Sequence, residues 1–276
     1  MTDHSPTSVE DWVRCPTFWW WRHERRWMPK SIGTNDLAAW FGRAIDRGVK
    51  ALYAGQPDGT QHALDELTEA VDEAHAWGRD DPPDLSDMRT RIRQTMAVYR
   101  PEPWEIVHID HRIGRAVLDL VIREGERLAV VDIKTKQKKP RDPYWTRQLH
   151  EWRKSWQLME YRWRVWEQIH RDTDGPLHPV NAYVHIIVAE PFEVVTHPIT
   201  PDPGWAQDAQ WIGKLMDASD IDRYRWRNRS RCHDWFGGDC PFLRACWDFE
   251  GEETRFPVDY VQRPAHREEI PCPTPN

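Results

Sequence analysis

The 276-residue sequence contains no apolar run of the ~18 or more residues that a membrane-crossing helix needs, so a transmembrane span is not expected. It has no Gly-rich phosphate loop of the Walker type, which argues against an ATPase or helicase motor. The first residues, MTDHSPTSVEDWVRC, lack a basic stretch followed by an apolar one, so no secretory signal is read there and the expected location is cytoplasmic. Cysteine is scarce. The five are Cys15, Cys232, Cys240, Cys246 and Cys272, an odd number with three inside fifteen residues, and in such a compartment that favours a metal or cluster over disulfides. Positive charge is also not in excess: 38 Lys and Arg face 45 Asp and Glu, for a net −7, which at first argues against a nucleic-acid partner.

The distribution of charge matters more than its sum. Residues 56–88 hold ten acids and one arginine, a local charge of −9, so the rest of the chain is +2, with basic clusters at 134–141, 147–164 and 223–231. The acidic stretch reads as a solvated helical appendage, and basic faces remain free elsewhere for DNA. Apolar residues make up 39%, and 18 tryptophans add large burial per residue, enough for a sizeable core.

Along the chain the pattern predicts a helical start from Ser8, a helix over 35–54 with Asn35 as cap, and helices over 62–77 and 85–99. A three-stranded meander follows over 105–111, 115–123 and 127–134, then a long helix over 144–170, strands over 181–189 and 192–197, and a helix over 205–218. This order suits an α/β fold, a mixed sheet with helices on both faces, and does not suit a Rossmann fold. The predicted divisions are an N-terminal segment 1–34 with the first cysteine, a helical region 35–100 with the acidic appendage, a core 101–222, a Cys-rich segment 223–250 and a Pro-containing tail 251–276.

Within RAVLDLVIREGERLAVVDIKTK, Asp119 interrupts one apolar run and Asp132 closes the next, with Lys134 two places on. A charge there is costly to desolvate unless a cation compensates it. If the two runs pair as a hairpin around Glu124-Gly125-Glu126, both carboxylates can point at one place and Lys134 lies on the same face as Asp132. Two carboxylates beside an ammonium make an oxygen-ligand site for Mg²⁺ or Mn²⁺ suited to phosphodiester hydrolysis; a structural ion pair between strands is the alternative.

Asp119, a twelve-residue gap and then VVDIKT resemble the second and third motifs of the PD-(D/E)XK nucleases, in the RecB-like branch. FGRAIDRGVKALY resembles the upstream helix of that branch, with Gly42 in place and Asp46 where a metal-ligating histidine usually stands. QLMEY, Gln157 to Tyr161, resembles its Gln-x-x-x-Tyr helix. The resemblance implies a restriction-endonuclease-like fold and a catalytic set of Asp119, Asp132, Lys134, Gln157 and Tyr161. It implies metal held by Asp46, Asp119, Asp132 and the backbone at Ile133. Two departures are Asp46 for His, which keeps an oxygen ligand, and Lys136 where glycine often follows Lys-Thr. Glu105, at the head of the first strand, lies where relatives often carry a Glu, and a surface role fits it equally.

The cysteines extend the likeness. RecB-like nucleases with an iron–sulfur cluster, such as AddB-type and CRISPR-associated Cas-four enzymes, place one cysteine before the nuclease core and three after it. The resemblance therefore implies a 4Fe-4S cluster on Cys15, Cys232, Cys240 and Cys246, joining the N- and C-terminal segments; a structural zinc is the alternative. Cys272 reads as a free thiol on the tail. Trp152, Trp156, Trp163 and Trp166 recur at helical spacing and read as core, while the interleaved arginines could equally line a strand-tracking groove. The implied function is a metal-dependent DNA exonuclease on single-stranded ends. The alternatives are an endonuclease or end-processing subunit working with recombination or CRISPR adaptation proteins, and a non-catalytic DNA-binding iron–sulfur protein.

Overall fold

The computed structural model describes residues 11–113, 116–139, 141, 145–146, 156–171, 180–199, 204, 240–242, 246 and 259–263. These fall into two compact units. One comprises Gly33–Asp72 and the described part of Pro82–Asp220; the other comprises Asp11–Ile32, Glu73–Asp81 and the described residues beyond Ile221. The helix expected over 205–218 and most of the Cys-rich segment lie outside the described residues. Among the described residues, no helix is long and apolar enough to cross a membrane.

The first unit is built on a five-stranded mixed sheet in the order β2-β3-β4-β5-β6. Strands β2 (Glu105–Ile113), β3 (Ala116–Glu124) and β4 (Arg127–Lys138) form the antiparallel meander that the sequence predicts. Glu124 pairs with Arg127, leaving a two-residue turn in which Gly125 takes a φ of 63°, a left-handed conformation that costs glycine little. Strand β5 (Asn181–Glu190) lies parallel to β4, a connection that spans helix α5 (Trp156–Arg171), and β6 (Glu193–Pro198) returns antiparallel to β5. β4 runs four residues beyond its predicted end, because pairing with β5 continues to Lys138 opposite Glu190. Leu118, Leu120, Ile122, Val130, Val131, Val184 and Ile186 are buried in the sheet, as expected of strands covered on both faces.

Helix α2 (Thr34–Tyr53) starts one residue before the predicted Asn35 cap. Gly33 is the extended cap, and its N–H donates to Asp36 Oδ2 at 2.9 Å; an acid in the first turn also faces the positive end of the helix. Trp40, Phe41, Ala44, Ile45 and Val49 make its buried stripe at helical spacing. Gly42 lets the helix approach β4, since a Cβ there would lie 3.0 Å from Thr135 Oγ1. Gly48 brings it still closer to the start of α3 (Gly59–Ala76), where a Cβ would sit 2.5 Å from the Gly59 carbonyl. Helix α4 (Ser86–Val98) buries Met88, Ile92 and Met96.

The second unit contains α1 (Pro16–Trp19), a π turn at Trp20–Glu24 and a short ribbon in which β1 (Trp27–Pro29) pairs antiparallel with β7 (Tyr260–Gln262). Its core gathers Cys15, Phe18, Trp21, Cys240, Phe242, Cys246 and Tyr260. Phe242 stacks on Tyr260 with centroids 5.6 Å apart and meets Phe18 edge-on at 5.5 Å. Arg79 ties the unit together by donating to the Pro29 carbonyl at 3.0 Å and the Ser31 carbonyl at 2.9 Å.

Candidate active site

The meander places three aspartates in a row across neighbouring strands. Ile109 pairs with Leu120 and His111 with Leu118, so Asp110 stands opposite Asp119. Leu120 pairs with Val131, and one residue further that register sets Asp119 across from Asp132. Like charges at cross-strand positions repel, so this row needs cations among it. Two lysines supply them.

Lys50, about two turns along α2 from Gly42, is 7% exposed and reaches all but the last of these carboxylates. Its Nζ lies 2.6 Å from Asp46 Oδ2, 2.7 Å from Asp110 Oδ1 and 2.8 Å from Asp119 Oδ1. Asp110 adopts φ 51°, the left-handed region that aspartate tolerates better than most residues. The other oxygen of Asp119, Oδ2, accepts the Ile133 backbone N–H at 2.8 Å, which locks β3 to β4 at the site. Burial alone would lower the Lys50 pKa, but Asp119 and Asp46 outweigh it and hold the ammonium well above its ordinary value. Asp46 is pushed up to about 7, by burial first and then by the charge of Asp119, against the pull of Lys50. Its Oδ1 is buried without a hydrogen bond among the described residues.

The second lysine serves Asp132. That residue is 1% exposed, and burial raises its pKa to about 6 even though Lys134 opposes the rise. Lys134 Nζ lies 2.7 Å from Asp132 Oδ2 as an ion pair, without the alignment of a hydrogen bond. It donates instead to Gln157 Oε1 at 2.9 Å, and Gln157 Nε2 donates to the Tyr161 hydroxyl at 2.7 Å. Gln157 and Tyr161 are one turn apart on α5, so one helix face orients the lysine. Tyr161 is buried, and desolvation followed by the charge of Asp132 raises its phenol pKa, so it stays protonated. Lys136, next on the same strand face, has its pKa lowered by burial and by Lys134.

The structure thus brings together Asp46, Asp119, Asp132, Ile133, Lys134, Gln157 and Tyr161, and adds Lys50 and Asp110, which sequence reasoning missed. The available signals were the four-residue spacing of Asp46 and Lys50 and the parity of Asp110 within β2. Glu105 is elsewhere: it pairs with Arg123 at 3.0 Å on the exposed end of the hairpin.

The donor set is all oxygen, as a hard divalent cation requires, and among the described residues the buried Asp46 Oδ1 and Asp132 Oδ2 accept no hydrogen bond, Asp132 Oδ2 facing the Lys134 ammonium as an ion pair. The residues therefore fit Mg²⁺ or Mn²⁺. Among the described residues, however, no three His, Cys, Asp or Glu side chains are already gathered as a metal-holding group. The point on which Asp46, Asp110 and Asp119 converge is held by the Lys50 ammonium.

Of the expected cluster cysteines, Cys15, Cys240 and Cys246 are buried in one apolar core, and none is bonded to another as a disulfide. Cys232 and Cys272 lie outside the described residues. Two arginines of α5 bond internally: Arg162 donates to the Val180 carbonyl, and Arg164 donates to Glu160 at 2.8 Å and to the Ile113 carbonyl at 3.2 Å. Trp163 and Trp166 stack 4.9 Å apart and pack against buried clusters. Trp152 and the Trp156 side chain are outside the described residues.

No curated protein matches the chain. A family does: the sequence model of the PD-(D/E)XK nuclease superfamily matches residues 3–247. With a mixed five-stranded sheet carrying Asp119, Asp132 and Lys134 on adjacent strands, and a match that spans most of its length, the chain belongs to the PD-(D/E)XK nuclease superfamily.

Proposed function

We propose that the chain is a metal-dependent deoxyribonuclease that hydrolyses phosphodiesters at DNA ends, with Asp119, Asp132 and the backbone carbonyl of Ile133 as the groups that hold Mg²⁺ or Mn²⁺. The observation that carries this reading is the chain of contacts from Asp132 through Lys134 and Gln157 to Tyr161, beside Asp119. Bound there, the ion would polarise a phosphoryl oxygen and make a water more acidic. Lys134, whose side chain is 28% exposed, can reach water or the charge developing on the phosphoryl oxygens while its ion pair with Asp132 holds it at the site. Gln157 and Tyr161 act as positioning residues, because the amide oxygen accepts a hydrogen bond from the ammonium and the buried phenol fixes the amide's orientation. The preference for single-stranded ends, and partners such as recombination or CRISPR adaptation proteins, rest on the resemblance to RecB-like nucleases.

The shared apolar core of Cys15, Cys240 and Cys246 supports the further proposal that these thiols, with Cys232, hold a structural 4Fe-4S cluster. Cys15 lies 217 residues before Cys232, so such a group would join the two ends of the chain. Reduced, apolar-shielded thiolates fit either this cluster or zinc, and metal analysis separates them. The activity is tested with linear and circular single-stranded DNA in Mn²⁺. Shortening of the linear substrate from an end, with the circle intact, is expected; cutting of the circle would replace the exonuclease reading with the endonuclease one.

A further inference from the structure

We propose that Lys50 is the resident second cation of this active site: its ammonium fills the place among Asp46, Asp110 and Asp119 that another divalent ion would need, so the site takes one Mg²⁺ or Mn²⁺ and not two. The inference rests on the reading above, in which Asp119 and Asp132 hold a metal ion. Asp46 is then chiefly the counter-ion of Lys50.

Three observations carry it. The first is geometric. Lys50 Nζ makes contacts of 2.6, 2.7 and 2.8 Å to carboxylates from a helix and two strands, so one ammonium is ion-paired to three acids and donates a hydrogen bond to Asp119 Oδ1. The second is burial. The side chain is 8% exposed and emerges from α2, which Gly42 holds close against Thr135 of β4, so the ammonium is supplied by a packed element. Withdrawing it would leave the Asp46 carboxylate, one oxygen of which is buried, crowded by Asp110 and Asp119 without its counter-charge, which is unfavourable. The third is charge. Asp46, Asp110, Asp119 and Asp132 carry at most four negative charges against Lys50 and Lys134, a balance no more negative than −2. One divalent ion neutralises that balance and a second would reverse it.

The arrangement divides the work of Asp119. Oδ1 faces Lys50 and Oδ2 faces the Ile133 N–H, so an ion shared with Asp132 adds to a carboxylate whose orientation is already fixed. Asp110 contributes by holding Lys50 in place, and its left-handed backbone is what delivers its carboxylate there.

The test is a count of bound ions on the full-length protein, by the electron-paramagnetic signal of free Mn²⁺ during titration. Asp119→Asn/Asp132→Asn gives the background from surface acids. The wild type is expected to bind one ion above that background and Lys50→Ala two, because deleting the ammonium opens its volume and removes a positive charge. Asp46→Asn is expected to keep the one ion, with affinity lowered by about 10–100-fold at most, as for a group outside the ligand shell. This variant removes a carboxylate that burial already disfavours, so it reports even if Lys50→Ala does not fold. Two ions in the wild type, one in Lys50→Ala at unchanged affinity, or loss of the ion in Asp46→Asn would each overturn the proposal. If the wild type binds an ion that the double variant loses, the metal-dependent reading survives any of these outcomes. If the wild type binds none above background, both readings fall together.

Discussion

The two compact units solve opposite problems with buried groups. In the sheet unit four aspartates and two lysines are crowded together, each carboxylate facing an ammonium or a backbone N–H. In the other unit three cysteines sit among Phe18, Trp21, Phe242 and Tyr260, where the surroundings are apolar. Charge in a dry place costs stability and yields chemistry; thiols in a dry place cost little and can hold a structural metal group. Damage should therefore separate: lesions in the acidic row should remove activity from a folded protein, and lesions at the cysteines should remove stability from a protein still able to cut.

The largest expected effect follows from Asp132 and Lys134. Asp132→Asn should lower turnover on DNA by on the order of a thousandfold, through loss of the metal-holding carboxylate, with the thermal midpoint nearly unchanged. Lys134→Ala should lower kcat while leaving Mn²⁺ affinity nearly constant. Calorimetry and single-turnover cleavage on the same preparations separate these outcomes, and loss of ion binding with intact turnover would contradict the role given to the lysine.

Next are the cysteines. Cys15→Ala, Cys240→Ala and Cys246→Ala should each remove the visible iron–sulfur absorbance and lower the melting temperature by several degrees, because a closure spanning most of the chain is lost. Activity per folded molecule should remain within about threefold of the wild type, since the cysteines would act on stability and not on the transition state. Cys272→Ala should change neither colour nor melting. A colourless protein carrying one zinc would keep the clasp and discard the cluster.

Acidity sharpens the contrast. Asp46 has a folded-state pKa of about 7, above its ordinary 3.8, so protonation favours the fold. That contribution is complete below pH 3.8 and is lost as pH rises through 7. In metal-free buffer Asp46→Asn should therefore gain stability relative to the wild type between pH 5 and 8, by about 1–2 kcal/mol. His185, in β5 with its ring between the Tyr99 hydroxyl at 3.1 Å and Thr196 Oγ1 at 2.9 Å, works in the other direction: burial lowers its pKa to about 4, so its contribution is present above 6.5 and is lost as pH falls toward 4. Urea midpoints across that range measure both slopes, and a flat difference between wild type and Asp46→Asn would remove the burial argument. The smallest effect is at the helix–sheet approach. Gly42→Ala should stay within about 1 kcal/mol of wild type, because Thr135 Oγ1 can shift by a few tenths of an ångström while the helix gains propensity. Gly48→Ala meets the rigid Gly59 carbonyl and should cost about 1–3 kcal/mol.

Much of this site was legible because burial and charge conflict in one dimension. Asp119 inside an apolar run and Asp132 at the end of another declare themselves without knowledge of the fold, and the short Gly125 turn makes their strands neighbours. Lys50 was hidden because Asp46 and Lys50 look like an ordinary exposed pair one helical turn apart. Its burial arises only when α2 lies against the sheet. Asp110 was hidden for a different reason: its backbone is left-handed at φ 51°, a conformation that composition does not announce in a strand. The Asn35 cap misled because any Asn near a helix start reads as a cap, whereas the Asp36 carboxylate bonding back to Gly33 sets the boundary. The interleaved arginines could equally line a DNA groove or pack, and for Arg162 and Arg164 backbone carbonyls at Val180 and Ile113 and the carboxylate of Glu160 supply the partners.

The central claim is that the acidic row is the catalytic metal site of a nuclease. The most direct measurement is single-turnover cleavage of an end-labelled single-stranded oligonucleotide by wild type and Asp119→Asn, each with Mn²⁺ and with EDTA. The account predicts shortening of the label only for wild type with Mn²⁺, with circular dichroism showing both proteins folded. Cleavage by Asp119→Asn at the wild-type rate, or by wild type in EDTA, would contradict it.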